Sequence, residues 1–147
     1  MADRLDPTLG DPRAYDFINP VLLRFRDLDM LGHVNNVALA GWLEDGRVAL
    51  ELPIQPCTPS YSGPVIVLLE ARIRYLEEIH LPDHVEVGTR IQKLGQTSVV
   101  IGQGVFANGK CAAMAEFVEV LIDPGTRRPT PWPADFRAHL ERYLRKG

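Results

Sequence analysis

The sequence of 147 residues lacks the features that mark several classes of protein. Its two cysteines, Cys57 and Cys111, occur in unlike contexts, so a single disulfide is possible but a disulfide framework is not indicated. No segment approaches the roughly 20 consecutive apolar residues of a membrane span, and the first residues lack the apolar run of a secretion signal. These absences predict a cytoplasmic protein that has no membrane-spanning helix.

Basic runs and cofactor-binding motifs are also missing. The 16 Lys and Arg residues are outnumbered by 19 Asp and Glu residues, and the net charge is −3, which argues against a nucleic-acid-binding surface. There is no glycine-rich dinucleotide or phosphate-binding motif, and no serine or cysteine nucleophile in a recognised elbow. The spacing of cysteine and histidine does not suggest metal ligands. The sequence therefore predicts no nucleic-acid partner, no metal ion and no cofactor.

Hydrophobic periodicity predicts one α+β domain over residues 1–147. Residues 36–51 are typical of a helix, and because its first half is apolar on every side, we expect it to be enclosed by protein. The charged residues of its second half predict that the helix emerges there toward solvent or a subunit contact. Gly41 and Gly46 lie inside this helix and predict close approach of a sheet.

The remaining segments predict an antiparallel sheet between two terminal extensions. Asn108-Gly109, between two apolar runs, is a strong hairpin signal. A strand, a long helix and a meander of four strands predict one curved sheet wrapped around one long central helix. The predicted segments are an extended N-terminal arm (1–19), strands over 21–27, 65–77, 84–94, 97–106 and 111–123, and a C-terminal helix (133–146).

The polar side chains concentrate in residues 26–36, between the first predicted strand and the helix. Asn35 or Asn36 is a plausible helix cap. A helix N-terminus exposes unpaired backbone N–H groups and carries partial positive charge, so it can hold an oxyanion. A carboxylate facing such a terminus supplies half of a hydrolytic site.

The string Asp-Met-Leu-Gly-His-Val-Asn-Asn at positions 29–36, followed by Trp42, Glu44 and Arg47, resembles the hotdog-fold thioesterase family. The resemblance is strongest to its 4-hydroxybenzoyl-CoA thioesterase-like branch and covers about residues 20–123. It implies the hotdog fold, an antiparallel sheet around a central helix, and hydrolysis of an acyl-CoA to a free acid and CoA-SH without metal or cofactor. It also implies a homodimer with a continuous sheet, or a homotetramer.

The resemblance further implies roles for individual residues. Asp29 is the nucleophile or general base, although an aspartate here could also merely cap the turn. The backbone N–H of Asn36 polarises the thioester carbonyl. The corresponding histidine of acyl-ACP thioesterases is catalytic together with an asparagine two positions earlier. Here that position is Leu31, so an Asp29-centred scheme is favoured, and His33 either takes part in the chemistry or orients the loop.

Predicted substrate-binding residues surround this motif and lie on the strands. Gly32 and Asn35 belong to the motif, and the acyl chain is expected to run along the helix near Trp42, at the subunit interface. Arg90 and Lys93, together with Lys110, are candidate phosphate contacts for CoA, provided that they are exposed.

Two further carboxylates have simpler interpretations. Asp27 points away from Asp29 in an extended chain and is expected to be a loop or salt-bridge residue. Glu44 lies about two helical turns beyond Asn36, and a salt bridge to Arg47, or to Arg72 and Arg74, is expected for it.

Other functions remain open at this point. An acyl-ACP thioesterase is the close alternative, since the motif also resembles that of the plant enzymes. Leu31 and the run 38–40 differ from what relatives often have, which leaves room for a non-catalytic hotdog module that binds an acyl-CoA or a protein partner. A hotdog dehydratase is disfavoured because no hydratase motif is present.

Overall fold

The computed structural model describes residues 4–146. Within them, one five-stranded antiparallel sheet accompanies two α-helices, which confirms the predicted α+β class. The strands are β1 (Phe17–Val21), β2 (Val65–Tyr75), β3 (Val85–Leu94), β4 (Ser98–Ala107) and β5 (Lys110–Ile122), and the helices are α1 (Asn36–Glu51) and α2 (Ala134–Glu141).

The strand order is β1-β3-β4-β5-β2. The prediction of a four-strand meander is therefore correct for β3, β4 and β5 and wrong for β2. Asn108 and Gly109 both have positive φ and connect β4 to β5 as expected. β2 pairs with β5, with Val65 opposite Ile122, and not with its successor β3. Residues 76–84 therefore cross from one edge of the sheet to the strand beside the other edge, which leaves β1 and β2 as the two edge strands.

Helix α1 packs against one face of the sheet along one side of the helix. Leu39, Leu43 and Leu50 are buried there. Gly46 approaches the sheet so closely that a Cβ at this position would lie 2.8 Å from Gln103 Nε2, which confirms the predicted approach. The opposite side of the helix is open: a Cβ at Gly41 would meet nothing within 4 Å. A single chain therefore does not enclose the helix as predicted, because its sheet reaches only one side.

The charged half of α1 follows the prediction only in part: Glu44 and Asp45 are exposed, whereas Arg47 and Glu51 are buried. Arg47 is only 5% exposed, and its Nε donates to Glu119 Oε1 at 3.0 Å. Its guanidinium lies 3.8 Å from the centre of the Phe117 ring. Glu51 is 8% exposed. Burial raises the pKa of Glu51 to about 10, the neighbouring Glu119 carboxylate adds to the shift, and the charge of Arg47 opposes it only in part.

The N-terminal segment differs from the predicted extended arm. It forms two short 3-10 helices, Pro7–Gly10 and Pro12–Ala14, and already enters β1 at Phe17; the first three residues of the predicted arm lie outside the described residues. The predicted strand over 21–27 is wrong beyond Val21, because the Asp27 carboxylate accepts the Arg24 N–H at 2.9 Å and closes a 3-10 turn.

The arm, defined as residues 4–16, covers part of the face of the sheet opposite α1. Leu9 and Tyr15 are buried against Phe106, and the Tyr15 ring occupies the space where a Cβ of Gly88 would lie. The glycines of β3 and β4 leave room for the arm on this face.

The C-terminal helix is shorter than predicted, ending at Glu141, and buries Phe136 and Leu140. The chain then follows β3, where Ile91 N–H donates to Tyr143 O at 2.9 Å. Neither helix in the described part of the chain combines the length and apolar character needed to cross a membrane. Cys57 and Cys111 are free thiols.

Candidate active site

Residues 28–34, here called the Asp29 loop, form a narrow turn immediately before α1. Leu28 and Val34 form an isolated β-bridge at its base. The Asp29 N–H donates to His33 O at 2.8 Å, and the Gly32 N–H donates to Asp29 O at 3.0 Å. Gly32 has a φ of +80°, in the left-handed region that favours glycine. The backbone therefore defines the position of Asp29 relative to the helix.

The Asp29 side chain is exposed in the single chain, and only one of its oxygens is engaged. Oδ1 accepts the Leu31 N–H at 2.9 Å and the His33 N–H at 3.4 Å. Within residues 4–146, Oδ2 accepts no hydrogen bond. The aspartate thus caps its own turn, which is the alternative role that the sequence indicated. Its other oxygen is available for a substrate.

The start of α1 has an available N–H donor. Asn35 is the N-cap, and its Oδ1 accepts the Val37 N–H at 2.7 Å. Its own N–H donates to Asp27 O at 2.7 Å, which ties the cap to the preceding turn. Asn36 is the first helical residue, and its N–H donates to no acceptor in the described part of the chain. An available N–H at the positive end of a 16-residue helix is suited to an oxyanion.

The two neighbouring carboxylates do not belong to this site. Asp27 is buried, and Arg24 Nε lies 3.7 Å from its Oδ2, which confirms the predicted salt-bridge role. The salt bridge expected for Glu44 is not found among residues 4–146: Glu44 is exposed, Arg47 pairs with Glu119, and Arg72 has Glu116 at 2.6 Å.

His33 has two partners that the sequence analysis missed. Its Nε2 lies 3.1 Å from Glu78 Oε2, and His80 Nε2 lies 3.5 Å from the same oxygen. The two imidazole rings meet edge to face, with centres 5.0 Å apart. A long stretch of chain separates His33 from the other two residues, so no local spacing could have indicated this group. No hydrogen bond within the described residues joins the His33 ring to Asp29.

Trp42 borders a groove between α1 and β1. The groove has a volume of about 370 Å³, and Val21 and Ala49 line it together with Trp42. Trp42 itself is buried. Asn19, Arg24 and Asp45 also line it and no residue of the Asp29 loop does, so the path of an acyl chain near Trp42 stays a prediction.

The candidate phosphate contacts are differently placed. Arg90 is 5% exposed, so its expected exposure is wrong. Thr89 faces α1, and the next residue, Arg90, faces the opposite side of the sheet. There Arg90 donates to Thr8 Oγ1 at 2.7 Å and to Gln92 Oε1 at 2.7 Å. A cavity of about 510 Å³ adjoins it, but no residue of the Asp29 loop lines this cavity. Lys93 is exposed, and Lys110 pairs with Glu77 at 2.9 Å.

Comparisons with known proteins agree on the family. A sequence model of the thioesterase-like superfamily matches residues 23–140. A thioesterase complexed with coenzyme A and Zn from Thermus thermophilus is 33% identical with a TM-score of 0.78, and the match covers 88% of this chain and 95% of that chain. A predicted thioesterase from Bacillus stearothermophilus is 27% identical with a TM-score of 0.80, covering 89% and 98%.

The PA5185 protein of Pseudomonas aeruginosa matches with a TM-score of 0.83 over 92% of this chain and 96% of that chain; at 23% identity it supports the fold alone. Among curated protein sequences, none matches significantly. Because the superfamily's sequence model spans most of the chain and the solved thioesterases share its architecture, this protein belongs to the thioesterase-like superfamily and has the hotdog fold.

Proposed function

We propose that this protein hydrolyses acyl-CoA thioesters to a free carboxylic acid and CoA-SH. The proposal rests on one observation: the turn before α1 presents an Asp29 carboxylate oxygen and the N–H of Asn36, neither of which has a hydrogen-bond partner among the described residues. The solved Thermus thermophilus thioesterase, which is complexed with coenzyme A, supports CoA as the carrier. An acyl-ACP differs only beyond the phosphopantetheine arm and remains the close alternative.

The mechanism begins with attack on the thioester carbonyl. Asp29 either attacks the carbonyl carbon itself, forming a mixed anhydride that water then hydrolyses, or takes a proton from the water that attacks. In both routes the carbonyl oxygen becomes an oxyanion that accepts the Asn36 N–H, assisted by the helix dipole. The C–S bond then breaks, and the CoA thiolate leaves and is protonated. Asn35 contributes by fixing the helix N-terminus.

The site is completed by a second copy of the chain in this proposal. Met30 is 98% exposed and Val37 is 72% exposed, and both flank Asp29 and Asn36 in the sequence. Exposed apolar side chains next to a polar site are expected to be covered by a partner. The edge strand β2 also exposes Leu68 and Leu69, and pairing of such edges would extend the sheet. A homodimer, or a homotetramer built from it, would thereby enclose Asp29, Trp42 and the acyl chain.

A non-catalytic hotdog module is the second candidate. It is favoured by one observation, that Asp29 is exposed and already caps its own turn. Such a module would bind acyl-CoA without cleaving it.

Release of free thiol from a panel of acyl-CoAs, measured with a thiol-reactive dye, separates the two candidates. We expect Asp29→Asn to lower kcat by about 100-fold or more. The amide oxygen can still accept the Leu31 N–H, so circular dichroism and thermal unfolding should be unchanged. Glu44→Gln removes an exposed carboxylate of the nearby helix and is the matched control, expected to be fully active.

The outcomes are distinguishable. Equal turnover by Asp29→Asn and the wild type would refute the role of Asp29. Binding of acyl-CoA by the wild type, measured by calorimetry, without thiol release from any substrate would favour the module.

A further inference from the structure

We propose that His33, Glu78 and His80 bind one divalent transition-metal ion, with Zn²⁺ as the best chemical match. Two imidazoles and one carboxylate form a donor set that zinc commonly uses, and three protein ligands leave a fourth position for water or another ligand. The assignment depends on these three side chains only and does not require that the protein be a hydrolase.

The distances between the donor atoms suit a tetrahedral ion. Zinc bonds to imidazole nitrogen and carboxylate oxygen are about 2.0–2.1 Å long, so neighbouring donors in a tetrahedral site lie about 3.4 Å apart. Glu78 Oε2 lies 3.1 Å from His33 Nε2 and 3.5 Å from His80 Nε2. All three donor atoms lie within 4.8 Å of one another. A small rotation of the side chains would therefore bring all three donors into bonding range of one ion.

The backbone holds the three donors together. Ile79, between Glu78 and His80, is buried, and its carbonyl accepts the Val34 N–H at 2.8 Å. Val34 directly follows His33. One hydrogen bond thus joins the two segments that carry the ligands, and a core side chain anchors it. The three ligands are therefore held close together before a metal ion binds.

A second group of contacts fixes the His80 backbone. The His80 N–H donates to Asp83 Oδ2 at 2.9 Å, and Asn108 Nδ2 donates to Asp83 Oδ1 at 3.0 Å. The side chains of the ligands are accessible: Glu78 is 62% exposed and His80 is 52% exposed. The site therefore combines a fixed backbone with direct access for an ion from solvent.

The bound ion would connect the Asp29 loop to the β2–β3 connection. His33 belongs to the Asp29 loop, and its carbonyl accepts the Asp29 N–H at 2.8 Å. A metal bond to His33 would restrict the same turn that positions the Asp29 carboxylate. The metal would thus restrict the conformation of this turn without contacting the reacting groups.

Titration calorimetry with ZnCl₂ tests the assignment on the untagged full-length chain after treatment with a chelator. We expect one zinc ion per chain. His33→Ala and His80→Ala should each weaken binding by about 100-fold or more, and Co²⁺ in place of zinc should give the intense visible absorption of a four-coordinate site. His80 lies outside the Asp29 loop, so its variant tests the site even where His33→Ala disturbs the turn.

Two control variants address other candidate ligands. His84 lies 3.1 Å from Glu86, a pair like that of His33 and Glu78 but without a third donor in the described residues. The exposed thiol of Cys57 is a competing ligand. His84→Ala and Cys57→Ser should bind zinc like the wild type. Absence of stoichiometric binding, unchanged binding in His33→Ala and His80→Ala, or loss of binding in either control would overturn the assignment.

Discussion

Replacing Glu51 by glutamine is expected to stabilise the protein at neutral pH. The pKa of Glu51 is raised from its ordinary value of 4.5 to about 10, first by burial and then by Glu119. The folded chain therefore holds this proton more tightly than the unfolded chain. The stability that Glu51 contributes is complete below about pH 4.5 and is lost as the pH rises toward about 10.

The size of the effect follows from the same two pKa values. Between these two pKa values, each rise of one pH unit shifts the unfolding equilibrium about tenfold toward the unfolded chain. Relative to pH 4.5, the free energy of unfolding at pH 7 is therefore lowered by at most about 3 kcal/mol. Glutamine has the shape of the protonated acid and does not ionise. Its amide can replace the protonated acid as the donor in the side-chain hydrogen bond to Glu119.

Urea denaturation from pH 5 to pH 8, at one protein concentration, measures this difference through the fluorescence of the buried Trp42 and Trp132. The advantage of Glu51→Gln over the wild type should be small at pH 5 and grow with pH. Glu44→Gln, at an exposed position of the same helix, should show no such trend. An advantage of equal size at pH 5 and pH 8 would refute the view that Glu51 is protonated in the folded chain.

Two further predictions concern helix α1. Gly46→Ala should destabilise the protein by about 1–3 kcal/mol in urea denaturation, because the added Cβ would lie 2.8 Å from Gln103 Nε2 and 3.0 Å from Thr89 Oγ1. Gly41→Ala, facing open space, should instead be neutral or stabilising by up to about 1 kcal/mol. Equal effects of both would contradict this packing. Asn35→Ala should cost about 1 kcal/mol and reduce thiol release, since it removes the cap that fixes the helix start; unchanged values would argue against that role.

The sequence predicts those parts of the fold that depend on neighbouring residues. The apolar run and the asparagines of 35–36 define the bounds of α1, and the positive φ of Asn108 and Gly109 follows from their residue types. The helix cap at Asn35 and the structural role of Asp27 were also predictable, because both depend on contacts within a few residues.

Contacts between distant segments could not be predicted in this way. Periodicity does not show that β2 pairs with β5, because both hairpin and crossover connections leave the same pattern in the strands. The burial of Arg47 depends on Glu119, which reaches it only after the sheet has formed. The same holds for Glu78 and His80 beside His33. The roles of Asp29 and Asn36 in catalysis, and the assembly, stay predictions.

The N-terminal arm has a consequence for protein engineering. Within this arm, Asp6 supplies the carboxylate that faces the buried Arg90 guanidinium at 3.4 Å and also pairs with Arg145. Burial pulls the pKa of Asp6 upward, but hydrogen bonds from Thr8 and the charges of Arg145 and Arg90 lower it overall. A truncation that trims the chain to the start of β1 would leave that guanidinium without its counter-charge and would also remove the partner of the Arg145 side chain, whose backbone N–H remains bonded to Ile91 O.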